Sequence, residues 1–136
     1  NYGVSYNTAE QGMMYYKATT FNDSDIADKI LKTSNPKEQK ELGRQVKDYD
    51  DSVWKEKRFE IVTQINYWKF SQNRELKSFI ISLKDWEFVE ASPYDKIWGV
   101  GMSVDDEKIF DSSNWQGQNL LGKAIKQAQI RIINEL

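Results

Sequence analysis

Two residues of opposite charge, Glu10 and Lys17, stand seven positions apart in the stretch 8–18. Seven residues make close to two helical turns, so a carboxylate and an ammonium would project from one side of a helix. Such groups in a pocket wall could transfer protons or, for the amine, act as a nucleophile. The same spacing also fits a surface Glu and a surface Lys flanking the core methionines Met13 and Met14. Spacing alone favours this plainer interpretation.

Three further residues have chemical potential but lie far away in the sequence. Glu90 and Asp95 flank the turn at Pro93, and Asn119 precedes the last predicted helix. Nothing in the spacing brings these residues to Glu10.

Composition excludes several classes of site. The 136 residues include neither Cys nor His, which removes Ser/His/Asp and Cys/His triads, thiolate nucleophiles and zinc sites built from those ligands. Acid–base chemistry would fall to Asp, Glu, Lys or Tyr, and nothing in the sequence requires a metal or a cofactor.

The net charge of -2 argues against a protein that binds a long duplex through many phosphates. With no bilayer-length apolar run and no signal-peptide pattern, we expect a soluble, cytoplasmic protein without membrane contact.

Capping residues and apolar periodicity predict six helices. They begin near Thr8, Asp23, Asn35, Ser52, Asn73 and Asn119. The first start has the form of a capping box, Thr8 with Gln11 three residues later. The helix from Ser52 to about Gln72 is the longest and should form the spine of the core.

The remaining segments are less regular. Alternation over Trp86–Ala91 is compatible with a short strand, and residues 102–116 read as a polar loop. We therefore predict an α-rich single domain over 1–136, with at most a small β component at 86–91.

Several blocks, taken in order, resemble the NADAR superfamily, which includes the YbiA-like proteins. The matching blocks are Tyr6-Asn7-Thr8-Ala9-Glu10-Gln11, Lys17-Ala18, Asn35-Pro36, Leu42-Gly43-Arg44-Gln45-Val46, Lys69-Phe70-Ser71-Gln72-Asn73, Val89 to Gly101, and Gly117 to Gly122, with Trp54 and Arg58 between them. The resemblance implies a YbiA-like fold. One departure is that we expect this sequence to lack the N-terminal segment that family members usually carry.

The resemblance also implies an activity, hydrolysis of an N-glycosidic bond. The substrate would be ADP-ribosyl-guanine in DNA or a phosphoribosyl intermediate of riboflavin biosynthesis, so the partner would be a small nucleotide or an ADP-ribosylated nucleobase. Two alternatives from other classes stay open. They are a module that binds ADP-ribose or NAD without cleaving it, and a helical interaction domain.

By the resemblance, Glu10 is the first candidate for the acid or base and Asp95 for the second carboxylate. A first-turn Glu faces the positive end of the helix dipole, which favours its charged form and opposes a general-acid role unless burial outweighs it. Lys17 could bind a phosphate, pair with Glu10 or act as an amine nucleophile.

The candidate substrate-binding residues have different roles. Trp98 and Trp54 could stack on a base, although a Trp is more often a core residue. Gly99 and Gly101 could let backbone amides approach a phosphate. Arg58 and Asn119 are weaker candidates for phosphate or sugar hydroxyls, or for holding loops.

Overall fold

A computed structural model describes residues 4–136, and these contain six α-helices and two short 3₁₀ helices. The α-helices are α1 (Ala9–Thr20), α2 (Ser24–Lys32), α3 (Pro36–Arg44), α4 (Asp51–Gln72), α5 (Arg74–Ser82) and α6 (Leu120–Asn134). All six predicted helices are present within a few residues of their expected starts. The α-rich fold class is confirmed, whereas the extent of one domain over 1–136 stays a prediction.

The chain divides into two compact units, with the boundary between Lys69 and Phe70. In the first unit, α1 packs on α2 and α3 around a buried apolar cluster. The members of this cluster are Ala18, Ile26, Ala27, Ile30 and Val46, with Met14, Tyr15, Phe21 and Leu42 against them. Gly43 lets α3 approach α1 closely, since a Cβ there would collide with the sulfur of Met14.

Gln11 joins the start of α1 to the end of α2. The backbone N–H of Gln11 donates to Thr8 Oγ1, as the predicted capping box requires. Its side chain departs from that motif, because Oε1 accepts from the backbone N–H of Asn7. Nε2 donates to the carbonyls of Ile30 at 2.9 Å and Thr33 at 3.1 Å. A fully buried amide therefore satisfies carbonyls that the end of α2 would leave unpaired.

In the second unit, α5 packs on α6. Gln129 Nε2 donates to the carbonyl of Ile80, and Lys126 Nζ donates to the carbonyls of Lys84 and Trp86. A separate buried cluster of Val100, Met102 and Ile109 lies under the loops of this unit.

Two local predictions are wrong. Residues 86–91 form no strand among the described residues, because the backbone of this segment is hydrogen-bonded by the Asn119 side chain and by Val100. The segment predicted as a plain loop, 102–116, contains the 3₁₀ helices Glu107–Phe110 and Ser112–Asn114. Each of these begins at an Asp whose carboxylate accepts a backbone N–H, Asp106 and Asp111 respectively.

Within residues 4–136, no helix combines the length and the apolar character that crossing a bilayer would demand.

Candidate functional site

Glu10 is the second residue of α1, and its side chain is 42% exposed. Lys40 of α3 approaches its Oε1 at 3.2 Å. An exposed pair of this kind contributes at most about 1 kcal/mol to stability, so a substrate could replace Lys40 at little cost. With 42% of its side chain exposed, the Glu10 carboxylate is open to solvent and to a ligand. The geometry therefore supports a carboxylate that activates water or stabilises positive charge.

Lys17 lies in the last turn of α1, about 10.5 Å along the helix axis from Glu10. Its Nζ is 4.6 Å from the centre of the Tyr49 ring, a cation–π contact. Burial lowers the pKa of Lys17, the neighbouring Arg44 lowers it further, and Asp51 acts in the opposite direction. This is an amine whose proton is held less tightly than that of an ordinary lysine.

Tyr49 contacts Lys17 through its ring, and sequence reasoning did not identify it as a candidate residue. Its hydroxyl donates to Asp51 Oδ1 at 2.7 Å. Burial and this hydrogen bond raise the pKa of Tyr49 to about 12. Arg58 acts electrostatically on both Tyr49 and Asp51, so this candidate cation belongs to the same group of side chains as Lys17. The only sequence signal was the acidic run at 48–51, which reads as helix capping.

Trp54, also on α4, is 7% exposed and belongs to the buried residues of the chain. In this position its ring offers little surface to a ligand, so the core interpretation of this Trp fits better than stacking.

Asp95 and Trp98 lie in one turn of the second unit. Asp95 Oδ1 accepts from the backbone N–H groups of Ile97 at 3.0 Å and Trp98 at 2.8 Å. One carboxylate oxygen thus orders the turn that carries the partly exposed Trp98. A catalytic role for Asp95 and a stacking role for Trp98 stay predictions.

The two glycines of this segment serve the loops of their own unit: Gly99 lies close to loop backbone, and Gly101 adopts a left-handed backbone conformation. A Cβ on Gly99 would lie 2.8 Å from the carbonyl oxygen of Asp95, and Gly101 has a φ of 69°. The N-terminus of α6 is also occupied, since Leu120 and Leu121 donate their N–H groups to the carbonyls of Ile97 and Trp98. Carbonyl groups stand where a phosphate would bind a helix terminus.

Asn119 holds this arrangement together. It takes the predicted N-cap position of α6, but its side chain makes no cap hydrogen bond to the helix. Oδ1 accepts from the N–H of Glu90 at 3.0 Å and Nδ2 donates to the carbonyl of Phe88 at 2.9 Å. With 1% exposure and both polar atoms engaged, Asn119 fits the loop-holding role rather than a contact with substrate.

Each unit thus brings together a different part of the predicted set. The first contains Glu10, Lys17, Trp54 and Arg58, and the second contains Asp95, Trp98, Gly99, Gly101 and Asn119. No group of three or more carboxylates placed to hold a metal occurs within residues 4–136.

Comparison with known proteins gives these residues a context. The family model described as NADAR domain matches residues 1–133. The chain is 40% identical over 122 residues to the N-glycosidase of Acanthamoeba polyphaga mimivirus, covering 90% of this chain and 72% of that protein. It is 36% identical over 128 residues to protein irg-1 of Caenorhabditis elegans, covering 93% of this chain and 60% of that protein. A riboflavin biosynthesis protein of Vibrio vulnificus is 27% identical over 111 residues, covering 82% of this chain and 27% of that protein.

Proposed function

Because the chain belongs to the NADAR domain family, we propose that it is an N-glycosidase that hydrolyses the bond between a ribose and a base or amine. The similarity to the mimivirus N-glycosidase supports the reaction type. The observation in this structure that carries the proposal is the flank of α1, where a half-exposed carboxylate and a partly desolvated lysine share one side of one helix.

The reaction needs one group that acts at the sugar carbon of the breaking bond and one that acts at its nitrogen. As the C1′–N bond breaks, its electron pair goes to the departing nitrogen and positive charge develops on the ribose ring. The Glu10 carboxylate stabilises that charge and takes a proton from the water that adds to C1′. The lowered pKa of Lys17 makes its ammonium a better proton donor to the departing nitrogen than an ordinary lysine would be.

Lys17 has a second possible route. As a free amine it could attack C1′ of an opened sugar, so that the C1′–N bond to the base or amine breaks, the departing nitrogen takes its electron pair and a proton, and C1′ is left as an imine of Lys17; water then hydrolyses the imine to the free sugar and the free lysine. Cyanoborohydride reduction during turnover distinguishes the two routes, since it traps an imine as a stable adduct on Lys17 and leaves a proton donor unmodified. Lys17→Met should abolish the trapped adduct if the imine forms on Lys17. The matched control is Lys32→Met, since Lys32 is likewise in the last turn of its helix, α2.

We propose two substrate classes for the test, ADP-ribosyl-guanine in an oligonucleotide and a ribosylamino-pyrimidine of the riboflavin pathway. The second is suggested by the riboflavin biosynthesis protein of Vibrio vulnificus. The experiment offers both substrates to the purified chain and identifies products by chromatography and mass spectrometry. Release of free base or amine with the matching ribose product is expected from one of them. Intact ligand after long incubation, together with saturable binding, would instead support a module that binds ADP-ribose or NAD without cleaving it.

A further inference from the structure

Tyr49 lies in the connection between α3 and α4, and its side chain is tied to two helices. Its hydroxyl donates to Oδ1 of Asp51, the first residue of α4, at 2.7 Å. Its ring meets that of Phe21, at the end of α1, edge to face with centroids 5.3 Å apart. Lys17 Nζ lies over the ring, 4.6 Å from its centre. A residue that is 41% exposed thus has a fixed ring under an ammonium group.

The Phe21 contact connects the ring to the core. Phe21 follows Lys17 by four residues, so the two side chains lie on the same side of α1. Phe21 also packs against the buried cluster that contains Ile30. The ring of Tyr49 is therefore held in place beneath Lys17 by a side chain that is itself anchored.

The Asp51 contact fixes the other end of the ring. Both oxygens of this carboxylate are engaged, Oδ1 by Tyr49 and Oδ2 by Lys55 Nζ at 3.0 Å. The hydrogen bond from Tyr49 and the contact with Lys55 hold the pKa of Asp51 below its usual value. Asp50 and Arg58 also act electrostatically on Tyr49, in opposite directions. Asp51 is thus a charged acceptor that keeps the hydroxyl of Tyr49 in one place.

Lys17 experiences opposing influences at this position. Burial lowers its pKa, Arg44 of α3 lowers it further, and Asp51 raises it. The face of an aromatic ring attracts a cation and not a neutral amine, so the contact with Tyr49 favours the ammonium form. Cover from water and attraction by the ring face therefore act on Lys17 with opposite sign, and a substitution that changes only one of them separates the two.

We propose that Tyr49 is a positioning residue that holds Lys17 as an ammonium against its ring face, with Asp51 and Phe21 fixing the ring. This inference deepens the proposed function and rests on it for the view that Lys17 takes part in the reaction. It favours the proton-donor route. There, one N–H proton of the ammonium passes to the departing nitrogen as the C1′–N bond breaks, and Lys17 is left as a neutral amine.

Pulse acetylation of the full chain, with mass spectrometry of the Lys17 peptide, tests the inference without turnover, because only the neutral amine reacts. The variants to compare are Tyr49→Phe and a chain with a trifluorinated phenylalanine at position 49. The two rings have nearly the same shape, but fluorine removes the attraction of the ring face for a cation. At neutral pH, Lys17 in the fluorinated chain should react about two- to five-fold faster than in Tyr49→Phe, the loss expected for one cation–π contact.

Two controls accompany this comparison. Lys32, exposed in the last turn of α2, is the internal reference and should react at the same rate in both chains. Tyr94→Phe and its fluorinated counterpart change a Tyr that is 96% exposed in the second unit, and they should leave the rate at Lys17 unchanged. Equal melting temperatures show that the two rings at position 49 support the same fold.

Equal acetylation rates at Lys17 in Tyr49→Phe and the fluorinated chain would overturn the inference, because Tyr49 would then act only as cover. During turnover, the fluorinated chain should lose kcat at a lower pH than Tyr49→Phe, since its Lys17 gives up the proton sooner. A chain that cleaves neither substrate but shows the acetylation difference would contradict the proposed function and leave this inference standing. Turnover in a chain without that difference would do the reverse.

Discussion

The polar candidate residues of the two units make different kinds of contact. In the first unit, Glu10 contacts the side chain of Lys40, and Lys17 contacts the ring of Tyr49. In the second unit, Asp95 and Asn119 bind backbone groups of neighbouring loops. A contact between two half-exposed side chains can be exchanged for a substrate at little cost, whereas a buried backbone partner that loses its hydrogen bond destabilises the fold. The first unit is thus the better place for chemistry, and the second is organised to hold its loops.

The largest expected effect on stability is that of Asn119→Ala. The substitution leaves the Glu90 N–H and the Phe88 carbonyl without their partners and places an alanine at a φ of 53°. We expect a loss of about 2–4 kcal/mol in the free energy of unfolding, measured by urea denaturation. Glycine adopts that φ without strain, so Asn119→Gly should be more stable than Asn119→Ala by the strain energy alone. It should still lack the stability that the two hydrogen bonds contribute. If Asn119→Ala unfolds at the same urea midpoint as wild type, the Asn119 side chain does not hold these loops.

Gly122→Ala tests the close packing of the same loops. An alanine in an exposed helix stabilises by up to about 1 kcal/mol relative to glycine. Here its Cβ would collide with the Phe88 carbonyl and with the Asn119 amide. Overpacking should reverse the sign and destabilise by about 1–3 kcal/mol, visible as a lower melting temperature. A stabilised variant would show that the segment at 88 is not held against α6.

Gln11→Ala tests whether the contrast between the units is complete, because Gln11 is a backbone-binding side chain in the first unit. Its loss leaves the carbonyls of Ile30 and Thr33 with one donor fewer. We expect about 1–2 kcal/mol of destabilisation. Hydrogen exchange should locate the loss at the end of α2. Loosening confined to the second unit would contradict this placement.

The smallest expected change in stability is that of Asp23→Asn, and it should depend on pH. Hydrogen bonds from the backbone N–H groups of Lys47 and Ile26 hold the pKa of this carboxyl below its usual value of 3.8. A carboxyl with a depressed folded-state pKa stabilises the fold above pH 3.8, and this contribution disappears as the pH falls through the folded-state pKa. Asp23→Asn should therefore lower the urea midpoint at pH 7 and approach wild type in strong acid.

The control for that pair of measurements is Asp25→Asn, an exposed acid two residues along the chain. A deficit in Asp23→Asn that is the same at both pH values would show that the carboxylate charge is not the cause.

Local sequence signals predicted the helices because caps such as Thr8, Asp23 and Asn35 act on neighbouring residues. The segment 86–91 escaped prediction because its hydrogen-bond partner, Asn119, is about thirty residues away. Spacings of four and three separate Trp54, Arg58, Ile61, Ile65 and Trp68, and this periodicity predicts the long helix α4 that the structure contains. Of these five side chains, only Trp54 and Ile65 are buried. Periodicity shows which residues share a face, and burial depends on what packs against that face.

In the candidate site, too, local spacing was predictable from the sequence and tertiary contacts were not. Helical spacing in the sequence placed Glu10 and Lys17 on one side of α1, whereas Lys40 and Tyr49 come near them only through tertiary packing.

The most direct measurement is the base-release kcat of Glu10→Gln in the intact chain. Glu75→Gln is the matched control, since Glu75 is likewise the second residue of a helix, α5, and is exposed. Glu10→Gln should lose about a hundred-fold or more in kcat with an unchanged melting temperature, and Glu75→Gln should retain full activity. A Glu10→Gln variant within about three-fold of wild type would contradict the assignment of the chemistry to this carboxylate.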